Sequence, residues 1–539
     1  MKSTRLYTLF GSIASLPSLT AATNIPAGFS ARCASLAQNF HPNHQTTVLA
    51  AELLLKGSNF TNPSPRPECI IANPILLVNV CRLRVNVSTS STSSVIFEAW
   101  MPTDWERKGK RFVMTGNGGL GGCIAFDDLN YLSYLGFATL GHNNGHDGDT
   151  GLPFYKHPEV VKDFAYRALL TATKIGKKAV NQFYQQTLKK SYFVGCSSGG
   201  RQGLKAAQDF PEEFDGIVAG AAGANWNNLM SSVSYYWKYV ANENKPLVLT
   251  AEQWTAWRDE VIKQCDLMDG VKDSVIEDPR KCHPRPEARL CAPGQTWESN
   301  KCFTGDQASV LRKIYEPFYG NNATFLFPGF MPGDETTTSL WFATNAPPYT
   351  VDWYRYAVLN DETWTVEEDF NLDAVDYANK VDLYNISTLK DLSKLKATGH
   401  KLLTYHGLAD GLLSAENSDR YYESVVRRMG LPSSKLDSFY RYFPIAGLGH
   451  CAGGNGAWYV GGANQFSSAP ATGTTVDPEG GVLLSMVKWV EEGVAPDRIL
   501  GRGFSADGQT TLTKDHCKWP LKNTYLGGDP AKKRSWGCL

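Results

Sequence analysis

Ser191-Tyr192-Phe193-Val194-Gly195-Cys196-Ser197-Ser198-Gly199 is an apolar, aromatic run that breaks into a Gly-x-Ser-x-Gly turn, and Arg201-Gln202-Gly203-Leu204-Lys205-Ala206-Ala207 after it reads as a helix. Strand, sharp turn, helix is the context of a nucleophile elbow, which holds its serine in strained backbone geometry and uses glycines so that neighbouring backbones come close. A bare Gly-x-Ser-x-Gly is also what a glycine-rich loop looks like. The flanking strand and helix favour the elbow and place Ser197 at the top of a parallel sheet.

An elbow serine needs a base and an orienting acid, in the chain order Ser, Asp or Glu, His. Residues 401–407 (Lys-Leu-Leu-Thr-Tyr-His-Gly) read as a buried strand running into a loop, and Asp410 lies just beyond it, with Asp419 as the second candidate. His450 follows the aromatic run at 439–443 and the loop Pro444-Ile445-Ala446-Gly447-Leu448-Gly449, where the last member belongs. Of the ten histidines, His406 precedes the acid, His142 and His146 precede the serine, and His516 lies far from the strand-and-loop pattern. Thr115-Gly116-Asn117-Gly118-Gly119 follows an early predicted strand, where a fold with this elbow keeps one oxyanion donor; Gly118 is the first choice and Gly119 the second. The other donor is the backbone N–H of Ser198.

Apolar runs at 94–100, 111–115, 137–141, 191–194, 216–220 and 401–405 read as buried strands, and helical spacing between them, clearest over 161–185, implies a mostly parallel sheet covered on both faces. The fold expected is therefore α/β, of the α/β-hydrolase type. Asp410 lies 213 positions after Ser197 (410 minus 197), more than one or two strand-helix units need. The excess, 227–399, is rich in Trp, Tyr, Phe, Pro and Cys and reads as a lid inserted into a catalytic domain made of 23–226 and 400–539.

Lys plus Arg equals Asp plus Glu at 53 each, so no basic field invites nucleic acid. Lys2 and Arg5 precede an apolar stretch, Leu6 to Leu19, which ends in small residues; residues 1–22 read as a secretory signal peptide. No later run approaches the roughly 20 apolar residues of a membrane span. Twelve cysteines behind such a leader suggest six disulfides in an oxidising, extracellular setting. Asn59, Asn86, Asn322 and Asn385 each begin a glycosylation sequon. Asp266, Asp269 and Asp273 crowd around Gly270 with spacing unlike an EF-hand, which leaves a solvated acidic loop and a Ca²⁺ site as two readings.

The elbow Cys196-Ser197, the distant Asp410 and the pair His450-Cys451 resemble the fungal tannase and feruloyl esterase family, within it the feruloyl esterase B group. So do Thr115 to Leu120, Gly145-His146-Asp147-Gly148-Asp149, Gly200 to Gly203 and Cys265-Asp266-Leu267-Met268-Asp269-Gly270, which together span nearly the whole chain. The resemblance implies a catalytic set of Ser197, Asp410 and His450. It also implies disulfides Cys33–Cys81, Cys69–Cys123, Cys196–Cys451, Cys265–Cys282, Cys291–Cys302 and Cys517–Cys538. A structural Ca²⁺ on Asp266, Asp269, Asp273 and the carbonyls of Val271 and Val275 is implied as well, and no organic cofactor. The expected activity is a secreted serine esterase acting on hydroxycinnamoyl esters of plant cell-wall polysaccharide. A tannase cleaving gallate esters is the alternative within the same chemistry, and a catalytically silent, calcium-binding secreted glycoprotein the alternative outside it.

Overall fold

The computed structural model describes residues 25–70, 73–242, 249–342, 345–465, 481–505 and 509–539; the expected signal peptide lies outside them. A nine-stranded sheet forms the centre. In chain order its strands are β1 (Thr46–Leu54), β2 (Val80–Ser88), β3 (Ser94–Pro102), β4 (Arg111–Thr115), β5 (Ala138–His142), β6 (Lys190–Cys196) and β7 (Gly216–Gly220). A small hairpin, β8 (Phe318–Tyr319) and β9 (Phe325–Phe327), lies apart, and β10 (Lys401–Gly407) and β11 (Tyr440–Ile445) complete the sheet. Spatial order is β1-β2-β3-β5-β4-β6-β7-β10-β11. The first three strands are antiparallel to their neighbours; from β5 to β11 every pairing is parallel.

Side chains alternate across this sheet with period two. Phe193, Ile217 and Leu402 point into one core with helices α1 (Ala168–Tyr184) and α2 (Ser198–Asp209). Their neighbours Val194, Val218 and Leu403 point into the opposite core under the helix Val482–Glu492. Buried apolar residues on both faces are what a parallel sheet demands, and emptying one position, as in Phe193→Ala, costs about 3–5 kcal/mol. Among the described residues no helix is long and apolar enough to cross a membrane.

The helix expected over 161–185 is interrupted. A short helix ends at Lys162, one wider π turn spans Asp163–Arg167, and α1 follows. Carbonyls in such a turn are free to take other donors, and Arg201 of α2 donates to those of Phe164 and Ala165 at 3.1 Å each. The fully buried guanidinium lies between the rings of Phe164 and Trp226, and burial pushes its pKa down to about 9.

The connection from β7 to β10 is mainly helical. It has an aromatic cluster of its own around Trp254, Trp257, Phe303 and Phe330. A second cluster, with Trp226, Trp353 and Tyr354, includes Phe154 and Phe164 from before the elbow and so fastens the connection to the sheet domain. Its last residues differ, because Leu392 and Leu395 pack into the main core. All twelve cysteines are paired, as Cys33–Cys81, Cys69–Cys123, Cys196–Cys451, Cys265–Cys282, Cys291–Cys302 and Cys517–Cys538. Asn59, Asn322 and Asn385 are exposed, whereas Asn86 is half-buried within β2.

Candidate active site

Ser197 sits between the last residue of β6 and the first of α2 with φ 61° and ψ −123°, a left-handed conformation strained for a residue with a side chain. The strain is held from several sides: its N–H donates to Gly220 O at 3.0 Å, and its carbonyl accepts from Arg201 and Gly223. Close approach explains the glycines. A Cβ on Gly195 would lie 2.6 Å from Gly199 O, and one on Gly116 would lie 2.5 Å from the Gly199 Cα. The elbow and the loop after β4 therefore touch backbone to backbone.

That loop is held rigidly. Gln202 accepts from Asn117 N–H and donates to the side chains of Asn117 and Asn144; Asn117 in turn donates to Cys123 O and His142 O. Ser198 Oγ donates to Gly119 O, Asn144 to Gly121 O, and His146 Nε2 to Leu120 O. Gly118 and Gly119 thus face a cavity they share with Ser197, Ser198 and His450, and neither N–H meets a backbone acceptor among the described residues. A Cβ at Gly118 would enter open space; Gly119 has φ +54° and would press on Tyr349.

Asp410 lies just past β10 and is 1% exposed. Its Oδ1 accepts from the N–H groups of Leu412 and Leu413 at 2.9 and 2.8 Å. Its Oδ2 lies 2.7 Å from His450 Nδ1 and 3.0 Å from His406 Nε2. Burial alone would raise the carboxyl pKa, but the two imidazoles outweigh it and hold Asp410 well below the usual carboxylate range. An ionised carboxylate accepts only, so His450 carries its proton on Nδ1 and keeps Nε2 for chemistry. Burial pulls the His450 pKa down and the Asp410 charge and hydrogen bond lift it more, for a net rise. His406 Nε2 also faces Leu413 O, and its Nδ1 accepts from Ser418 Oγ, so this buried ring braces Asp410 from behind.

Asp419 is occupied elsewhere: both its oxygens bind Arg280 at 2.7 Å, and Oδ1 accepts from Tyr442. His142 accepts from Asn144 N–H, and His516 Nε2 faces Ala457 O. Neither approaches Asp410. The disulfide Cys196–Cys451, Cα atoms 5.9 Å apart, ties the residues beside Ser197 and His450 together.

The cavity over these groups measures about 300 Å³ and is walled mainly by Trp226, Leu229, Met230, Val233, Trp341, Tyr349, Leu412 and Leu413. Most of that wall belongs to the β7–β10 connection. Its aromatic content is visible in the sequence; which rings reach the serine is not, because tertiary packing decides it.

The acidic loop holds Asp266, 5% exposed, with Oδ1 accepting from Asp273 and Ser274 N–H; Asp269 and Asp273 accept from Val271 and Val275 N–H. Among the described residues no three His, Cys, Asp or Glu side chains converge as a finished metal cage. The donor set nonetheless suits a hard cation. Asp269 Oδ2 is buried without a hydrogen-bond partner, and burial first, then mutual repulsion among the aspartates, pushes the pKa values of Asp269 and Asp273 up. Lys514, bonded to Glu277 at 2.7 Å, supplies one compensating charge.

Parallel sheet, strained serine at the strand-to-helix turn, and acid and base on later loops define the α/β-hydrolase class. A family model described as tannase and feruloyl esterase matches residues 78–539. A probable feruloyl esterase B-2 of Neosartorya fischeri is 41% identical over 534 residues, covering 97% of this chain and 99% of the relative. A probable feruloyl esterase B of Aspergillus clavatus is also 41% identical, over 95% of this chain and 96% of the relative. The crystal structure of feruloyl esterase B from Aspergillus oryzae superposes with TM-score 0.88 at 40% identity, over 95% of this chain and all of that one. The tannin acyl hydrolase of Aspergillus niger, 19% identical over 95% of this chain and 94% of that one, shares the fold with TM-score 0.72. The chain belongs to the tannase and feruloyl esterase family.

Proposed function

We propose that the protein is a secreted serine esterase that hydrolyses feruloyl and related hydroxycinnamoyl esters of plant cell-wall polysaccharide, giving the free phenolic acid and the polysaccharide. The observation that carries this reading is the 2.7 Å contact of Asp410 with His450 on the cavity that also holds Ser197. Relatives named feruloyl esterase B over 95–97% of the chain support the substrate class.

Ser197 Oγ attacks the ester carbonyl while His450 Nε2 takes its proton; Asp410 keeps the imidazole in the right tautomer and stabilises its charged form. The tetrahedral oxyanion is held by the N–H groups of Ser198 and Gly118, each worth about 2.7–4 kcal/mol at the barrier. His450 then protonates the departing alcohol, and a water molecule repeats the sequence on the acyl-enzyme. The apolar cavity suits a flat phenolic ring, and the β7–β10 connection acts as a lid over it. No organic cofactor is needed.

A structural Ca²⁺ on Asp266, Asp269, Asp273 and the carbonyls of Val271 and Val275 completes the reading, and the unpartnered Asp269 oxygen supports it. Export through the leader at 1–22 accords with six disulfides, and Asn59, Asn322 and Asn385 are open to glycans.

Hydrolysis of methyl ferulate, caffeate, p-coumarate and sinapate beside methyl gallate tests the proposal. Preference for a hydroxycinnamate supports it, and preference for gallate points to the tannase alternative. No turnover, with no labelling of Ser197 by a fluorophosphonate, would make the protein a silent glycoprotein.

A further inference from the structure

An ester has two halves, and the apolar cavity accounts for one of them. A second cavity of about 390 Å³ adjoins it along Gly118, Gly119, Tyr349 and Asn464. Its character is opposite: Glu68, Asp127, Asp128 and Asp149 line it together with the ring of Phe126, and none of its lining residues is cationic. Tyr349 stands on the shared wall and donates its hydroxyl to Asp149 at 3.1 Å. Asp128 is 2% exposed and accepts from Asn464 N–H, and burial raises its carboxyl pKa to about 7.

The position of this cavity matters as much as its lining. Gly118, which carries one oxyanion donor, borders both cavities, so an ester carbonyl held on it has its acyl carbon at the junction of the two hollows. If the phenolic ring fills the apolar one, the alcohol oxygen that His450 protonates points toward the acidic one. Asn464 supports this direction, since it borders both cavities and follows the His450-Cys451-Ala452 rim in the chain. Carboxylates along a cavity wall accept hydrogen bonds from hydroxyl groups, and charge-assisted bonds of this kind are roughly twice as strong as neutral ones. An anionic alcohol would meet like charge there and pay for its desolvation.

We propose that the second cavity is the alcohol subsite of the esterase, and that it takes a neutral, hydroxyl-rich alcohol such as a pentose or short glycan, whose hydroxyls donate to Glu68, Asp127 and Asp149. The proposal rests on the esterase reading of Ser197 given above, and it assigns the residues that hold the polysaccharide side of the ester. Glu68 and Asp127 are the residues to change, because Asp149 also packs against the oxyanion loop: a Cβ on Gly119 or Gly121 would meet its Oδ1 at 2.9 Å.

The experiment compares two esters of the same acid, methyl ferulate and feruloyl arabinose, on the full-length protein and on the double variant Glu68→Ala, Asp127→Ala. Methyl ferulate leaves the acidic cavity empty, so its turnover reports the fold and the catalytic residues in the same sample. The expected result is a fall of about tenfold in the ratio of kcat/KM for feruloyl arabinose over methyl ferulate, carried by KM, as loss of hydrogen bonds to charged groups requires. A ratio within twofold of the parent, or parallel losses on both esters, overturns the subsite while leaving the esterase reading intact. Absence of turnover of either ester by the parent protein overturns both.

Discussion

Asp410 and His450, forty residues apart in the chain, meet through a 2.7 Å hydrogen bond from imidazole Nδ1 to carboxylate Oδ2. The bond fixes the tautomer that a general base needs and leaves Nε2 facing the cavity of Ser197. Ser197→Ala, His450→Ala and Asp410→Asn should each lower kcat for a model ester by roughly 10⁴-fold with little change in folding, because such residues act as a unit. Asp419→Asn should do the reverse, lowering the melting temperature through loss of the Arg280 pair while kcat stays within a fewfold. Loss of turnover in Asp419→Asn but not in Asp410→Asn would make Asp419 the acid and overturn the assignment to Asp410.

The same contact sets a pH dependence. His450 works as a base only when neutral, so activity rises as pH climbs through its pKa. Burial lowers that pKa and the Asp410 charge and hydrogen bond raise it further, so the acid limb of kcat/KM should lie above about 6.5, the ordinary histidine value. In Asp410→Asn burial stays and the charge goes. The acid limb of the residual activity should then shift to lower pH, and a profile that stays in place or moves upward contradicts the assignment.

His406 braces Asp410 at 3.0 Å without reaching the cavity. His406→Ala should cut kcat by about 10- to 100-fold with KM nearly constant, the loss expected for one hydrogen bond to a charged acceptor. His406→Gln keeps a donor and should recover part of it. A merely structural role would instead lower the melting temperature of both variants and leave kcat of the folded fraction unchanged.

Legibility followed the distance over which each feature is specified. The parallel strands from β5 to β10 could be read because burial on both faces leaves short apolar runs, and their bounds move by only a residue or two. β2 could not: Arg82 is tolerated inside it because Glu98 of β3 faces it with hydrogen bonds of 2.7 and 2.8 Å, a pairing absent from either strand alone. The π turn at Asp163–Arg167 is likewise stabilised by Arg201, far along the chain. At the site, the elbow motif singled out Ser197, and chain order together with the strand-and-loop pattern singled out His450, but Asp419 stayed open behind Asp410. The choice depends on Arg280, which engages Asp419 from 139 positions away. Chain order also set His406 aside as a base, and carries no signal for a bracing role.

The calcium reading makes a thermodynamic prediction. Chelation should lower the melting temperature before it affects turnover at moderate temperature, because an ion at a hundredfold excess over its Kd adds about 2.7 kcal/mol to the native state. Asp269→Asn should abolish most of that response, since Asp269 contributes the buried oxygen without a partner. Unchanged melting after thorough chelation, with no metal by elemental analysis, would sink the idea.

The bridge between Cys196 and Cys451 joins the neighbours of nucleophile and base across a sequence separation of 255, with Cα atoms 5.9 Å apart. Closing a loop of that length restricts the unfolded chain by roughly 5 kcal/mol in the entropy model, and native strain commonly reduces the measured value. The local effect bears on chemistry. Ser197 is already in a strained left-handed conformation, and Cys451 beside His450 has φ +65°, so the backbone on both sides of the bridge departs from its relaxed state. With Cys196 and Cys451 both replaced by alanine, the elbow keeps its glycine contacts but His450 loses its tether. Looser placement of a base penalises the transition state more than substrate binding, so kcat should fall more than KM rises. Paired measurement of melting temperature and steady-state kinetics on the double variant separates the two effects. Equal stability with full activity would falsify the claim that the bridge registers base to nucleophile.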